Sequence, residues 1–267
     1  MAVIAVTSAK GSPGASTAAL AFAMAWKSPT ILAECDPAGG DLLSGYLGGL
    51  ALPADRGLLQ VAMADSRDNL AAEFWGQLVD LDAPHRRRLA LPGISSPRQA
   101  ATLRPTWPRL AAFFAGLEHA DPSYDVIADC GRLVTADAPF PLFQRADLVL
   151  MTLRPASLRD VAPVWPALGE LRRSLIEAEV SLNRLGLLLI GDGPYGRREI
   201  EQRLQCPVMV QLPIDRKTAA ALSNGGRLKG SRDLLRHAAS AEASIRERIA
   251  SLRQHHQALA PGAAHAD

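Results

Sequence analysis

The sequence predicts an α/β chain: a doubly wound, mostly parallel sheet with helices on both faces. Three observations lead there. Short, continuous runs rich in Val, Ile and Leu recur along the chain, as strands do when both faces of a sheet are covered. Helical segments fill the intervals between those runs. The first run, Val3-Ile4-Ala5-Val6, leads into a loop of small residues and then an alanine-rich helical start.

Taken in order, the predicted strands are Val3–Val6, Thr30–Ala33, Arg88–Leu91, Asp125–Ala128, Leu148–Thr152, Leu185–Ile190 and Val208–Leu212. The predicted helices are Ser16–Trp26, Gly57–Ala64, Asn69–Val79, Thr106–Leu117, Leu158–Glu179, Arg197–Leu204, Thr218–Asn224 and Ser231–Arg253. The region between Pro37 and Arg88 is the least regular, and no internal repeat is visible. One domain over 1–253 is expected, with a tail over 254–267, rich in Ala and His, that frays.

Composition narrows the function classes. Apolar residues make up 48% of the 267, enough for a large core, and aromatics only 5%, so aliphatic side chains must fill it. Cys35, Cys130 and Cys206 are an odd number in three separate segments, which fits a reducing, cytoplasmic setting rather than a disulfide framework. The N-terminus lacks a secretory pattern, and no apolar run is long enough to span a membrane. Net charge is only +2, but it is unevenly placed. From Gly196 onward there are twelve Lys or Arg against seven Asp or Glu, a net of +5, which leaves about −3 for the rest. Such a basic third suits a solvated helical face, or an anionic partner such as DNA bound without sequence preference.

The residues with chemical promise fall at the carboxyl ends of the predicted strands, where ligands sit in sheets of this kind. Ala9-Lys10-Gly11-Ser12-Pro13-Gly14-Ala15-Ser16-Thr17 has the layout of a phosphate-binding loop: glycines for tight backbone, and free N–H groups at a helix start. Against G-x-x-x-x-G-K-[ST], Ala9 replaces the first glycine and Ala15 the lysine, while Ser16 keeps the hydroxyl that would meet Mg²⁺. Pro13 removes one N–H donor. After the second strand, Glu34-Cys35-Asp36-Pro37 brings two carboxylates two residues apart, able to flank a metal or orient a water. After the fourth, Asp129-Cys130-Gly131 offers a further carboxylate.

The ordered set resembles the ParA/MinD family of P-loop ATPases. Lys10-Gly11-Ser12-Pro13-Gly14-Ala15-Ser16-Thr17 is similar to that family's K-G-G-x-G-K-T-T, Glu34 to Gly39 to its D-x-D-P-x-G, and Asp125 to Asp129 to its third motif. Arg145-Ala146-Asp147, and Cys206-Pro207 through Leu212-Pro213-Ile214-Asp215, match later segments in the same order. The resemblance reaches to about residue 250. It implies the P-loop NTPase fold, ATP and Mg²⁺ as cofactors, and a homodimer. By position it makes Lys10 and Asp36 catalytic, with Lys10 reaching across a dimer to the partner's phosphates and Asp36 positioning the attacking water. It places Lys10, Gly11, Ser12, Gly14, Ala15, Ser16, Thr17 and Pro213 on the nucleotide, and Ser16, Asp36 and Asp129 around the metal. The chain departs from the family at Ala15, and at Ile190-Gly191-Asp192, where members often carry Asn.

The expected function is therefore a slow ATP-dependent dimerising switch, or a non-catalytic adaptor, that positions a cargo such as DNA, a pilus or a secretion complex. The alternative is a fully active ATPase for plasmid or chromosome partitioning or for placing the division site. A nicotinamide oxidoreductase would need G-x-G-x-x-G after the first strand, which is absent. Cys35 and Cys130 read as small packing residues rather than as ligands of a shared cluster. His85-Arg86-Arg87-Arg88 reads as a solvated approach to a strand, and His255-His256 has no spaced metal partner. In the last helix, Ile245, Ile249 and Leu252 share a face that reads as core-covering rather than membrane-seeking.

Overall fold

A computed structural model of the chain describes residues 1–10, 12–65, 67–133, 137–226 and 232–259. Eight strands form one sheet in the order β3-β4-β2-β5-β1-β6-β7-β8. They are β1 (Val3–Ser8), β2 (Thr30–Glu34), β3 (Val79–Asp80), β4 (Arg88–Leu91), β5 (Asp125–Arg132), β6 (Leu148–Leu153), β7 (Leu185–Ile190) and β8 (Val208–Leu212). Every pairing is parallel except β3 with β4. The seven predicted strands are all present. The two-residue β3 lies where the sequence predicted the end of a helix: that helix, α3 (Leu70–Gln77), stops early, and Val79–Asp80 turns back along β4.

The helices are α1 (Ala15–Ala25), α2 (Leu58–Asp65), α3, α4 (Ala100–Leu103), α5 (Trp107–Gly116), α6 (Phe140–Arg145), α7 (Leu158–Val161), α8 (Val164–Glu177), α9 (Arg197–Leu204), α10 (Arg216–Asn224) and α11 (Asp233–Leu259). The single helix predicted over Leu158–Glu179 is two. Pro163, which has no N–H to continue the ladder, stands between α7 and α8. The short α4 and α6 were not predicted. Helix α11 runs on to Leu259, past the predicted end at Arg253, and the predicted start at Ser231 lies outside the described residues.

Side chains alternate across the sheet, so β1 feeds both cores: Val3 and Ala5 on one face, Ile4 and Val6 on the other. The first core is closed by α2 to α9. The second is closed by α1, α10 and α11, with Phe22, Trp26, Ile245 and Ile249 packed together. Helix α11 thus covers the core, as its apolar face predicted. Its arginines are largely occupied. Arg246 pairs with the buried Asp125 and with Glu242, Arg253 with Asp147 and the Met1 carbonyl, and Arg248 donates to the Asn183 carbonyl. Asp125 also accepts from the Ala2 N–H and the Trp26 indole, each at 2.7 Å. Three arginines of the basic C-terminal third are therefore tied to the rest of the fold. Among the described residues no helix is long and apolar enough to cross a membrane.

Asp215 links α10 to α11. Its carboxylate caps α10 through the Thr218 N–H (3.0 Å) and hydroxyl (2.7 Å), and it lies 3.5 Å from the Leu234 N–H. Burial works to raise its pKa, but these bonds outweigh it and hold the carboxyl below its usual range. A depressed carboxyl stabilises the fold above its unfolded pKa, and that contribution disappears as pH falls through the folded value. Asp215→Ala should therefore cost about 1 kcal/mol near neutral pH, the usual worth of a helix cap. In urea melts the gap to the unaltered protein should close below about pH 4, near the ordinary carboxylate pKa.

Candidate functional site

Strand β1 lies between β5 and β6, so the loop after it opens between their carboxyl ends. Gly14 closes that loop as the N-cap of α1. Its φ of 106° is in the left-handed region, which a side chain disfavours. The register sets the neighbours: Val6 is opposite Asp129, and Glu34 of β2 is opposite Asp129 on its other side. Carboxylates distant in sequence thus meet beside the start of α1.

Asp129 is fully buried and accepts a hydrogen bond from the Gly131 N–H at 3.1 Å, with the Ser16 hydroxyl beside it. Burial raises its pKa to about 6, assisted by the negative charges of Asp36 and Asp41 and opposed by the Ser16 hydroxyl and the Gly131 N–H. Asp36 accepts from the Ala38 N–H at 2.7 Å. Its pKa is also raised, by burial first, while the Arg132 guanidinium pulls it back down. Gly131, at φ 58°, packs directly on this carboxylate: a Cβ there would fall 1.9 Å from Asp36 Cγ.

Glu34 accepts from three backbone N–H groups, Asp41 and Leu42 on Oε1 and Gly93 on Oε2, each at 2.9 Å, and it lines a cavity of about 330 Å³ with Ser16 and Asp129. Burial raises its pKa to about 7 despite these donors. Its role is to fasten the segment carrying Asp36 to the end of β4. Cys35 and Cys130 are fully buried with thiol pKa values pushed well up, chiefly by burial, as packing residues should be.

A cleft of about 480 Å³ is lined by Ser12, Pro13, Gly14, Ala15, Ser16, Thr17, Asp36 and Asp41, with Arg132 and Arg154 as its cations. The structure thus brings most of the predicted residues together. Pro213 lines a neighbouring pocket of about 160 Å³ that shares Gly14, Thr17 and Arg154 with the cleft. Lys10 is exposed and lines a neighbouring cavity that shares Ser12, Pro13 and Arg154 with the cleft. Gly11 lies outside the described residues. Sequence reasoning missed Arg132, Arg154 and Gly131. The signal at hand was modest: an arginine just past the end of β6, and a glycine two residues after the Asp129 carboxylate.

The donor set near Ser16 is a hydroxyl and carboxylates, all hard oxygens of the kind Mg²⁺ prefers. Among the described residues no cluster of three or more His, Cys, Asp or Glu could hold a metal ion on its own.

No protein-family profile and no curated protein sequence matches the chain. Solved structures do. A ParA family ATPase from Chlorobium tepidum superposes with a TM-score of 0.67 at 17% identity, over 90% of this chain and 97% of that one. The fold is that of the ParA and MinD proteins. The cell division ATPase MinD of Pyrococcus furiosus gives a TM-score of 0.62 at 18% identity over 94% and 99% of the two chains. A plasmid partition protein from Borrelia burgdorferi, bound to AMPPNP, gives 0.64 at 12% over 94% and 99%. At these identities the likeness speaks to fold, and the eight-stranded, mostly parallel sheet agrees with it.

Proposed function

We propose that the chain binds ATP with Mg²⁺ in the cleft. On this reading it serves as a slow dimerising switch, or as a non-catalytic adaptor, positioning a cargo such as DNA, a pilus or a secretion complex. One observation carries this reading. The Ser16 hydroxyl lies beside buried Asp129 at the start of a helix whose N-cap is a left-handed glycine, and Asp36 lines the same cleft as Ser16. A helix start of this kind favours a phosphate. The Borrelia burgdorferi protein described with AMPPNP supports the choice of ligand.

Ser16, Asp36 and Asp129 would hold the Mg²⁺, whose contribution is to neutralise charge on the phosphates. Asp36 is placed to orient a water, and Lys10, exposed on the rim, is free to reach a second copy of the chain. Ala15 leaves the loop without its own cation, and this favours slow turnover, because stabilising a transferring phosphoryl group is mostly electrostatic.

Calorimetry with Mg·ATP, paired with light scattering, tests the reading: binding with dimer formation is expected, and neither at millimolar ATP would overturn it. Ala15→Lys should tighten ATP binding about ten- to a hundred-fold, the worth of one charge-assisted contact. An unchanged affinity would mean that the loop does not cradle phosphate.

A further inference from the structure

Ala15 is buried at the position of the missing lysine, and Lys10 opens on a different cavity. We propose that Arg154 supplies the absent charge, binding the phosphates from outside the loop. The inference rests on the ATP reading above and adds to it the residue that replaces the lysine.

The sheet register places Arg154. Thr152 of β6 is opposite Ser8 of β1, so the chain leaving β6 emerges beside the loop that leaves β1. The Arg154 Nε donates to the Pro13 carbonyl at 3.1 Å. That bond holds the guanidinium against the loop by one nitrogen, and among the described residues the two terminal NH₂ groups have no hydrogen-bond partner. The following backbone is clamped as well, because Gly193 packs so closely on the Pro155 carbonyl that a Cβ there would lie 1.9 Å from its oxygen.

The charge is uncommitted. Among the described residues no carboxylate forms an ion pair with Arg154. Arg132, the other cation of the cleft, already acts on Asp36. Arg154 lines the cleft, the Pro213 pocket and the Lys10 cavity, so a ligand reaching from the cleft into either neighbour passes along it. A planar fork anchored at one edge is well suited to a multiply charged phosphate chain.

The test compares the full-length chain with Arg154→Gln, Arg154→Lys, Ala15→Lys and the Ala15→Lys/Arg154→Gln double variant. Each is titrated with Mg·ATP and with AMP. Arg154→Gln should weaken Mg·ATP about ten- to a hundred-fold, the worth of a contact to a charged group, and AMP much less. Arg154→Lys should fall between. The gain from Ala15→Lys should be larger in the Arg154→Gln background than alone, because the two cations serve one anion. A residue that merely braced the loop would lower ATP and AMP binding alike, and the added lysine would not restore it. That pattern, or unchanged Mg·ATP binding in Arg154→Gln, overturns the proposal while leaving the ATP reading intact. If the unaltered protein binds no ATP, the reading and the proposal fall together.

Discussion

Gly131→Ala is expected to lower stability by about 2–4 kcal/mol, from a left-handed alanine and an overpacked contact together. The alanine methyl has nowhere to go. Its ideal position overlaps the Asp36 carboxylate, at 1.9 Å from Cγ and 2.1 Å from Oδ2. Either the end of β5 moves or Asp36 swings out of the cleft. The Gly131 carbonyl also receives the Thr7 hydroxyl at 3.0 Å, which ties it to β1 and restricts the first option. Urea unfolding measures the loss. Mg·ATP binding should fall with it, and a variant that unfolds at the same urea concentration as the unaltered protein would contradict the packing described here.

Glu34→Ala is expected to cost about 3 kcal/mol at about pH 8, where a carboxyl with a pKa of about 7 is mostly ionised and three backbone donors lose their acceptor at once. The damage should be local before it is global: hydrogen exchange should accelerate over residues 36–42 and around Gly93, the two stretches the side chain joins. Glu34→Gln separates charge from geometry. Its amide oxygen can still receive the Asp41 and Leu42 N–H groups, but its NH₂ would face the Gly93 N–H. An intermediate loss is expected, and a loss equal to that of alanine would show that the charge matters more than the bonds.

The strands were legible because each is a continuous apolar run, a pattern that burial on both faces imposes. The exceptions have physical reasons. Val79–Asp80 is too short to show a period and pairs antiparallel at an edge, and a proline splits the segment over Leu158–Glu179. In the site, Ser16, Asp36 and Asp129 could be read because each ends an apolar run or opens a helix. Arg154, Gly131 and the true partners of Glu34 could not. Their meaning comes from strands adjacent in the sheet but far apart in sequence, and only the register of β1 against β5 and β6 brings them together.

The last helix also sets the order in which the molecule can be completed during synthesis. Phe22, near the end of α1, and Trp26, just past it, pack in the core that α11 closes, and among the described residues Asp125 finds its guanidinium in Arg246 alone. Until the ribosome has released the residues from Asp233 onward, a greasy flank near the amino end stays bare and one interior acid lacks its counterion. Helix α11 therefore acts as a latch: without it one of the two cores stands open, a surface prone to aggregation.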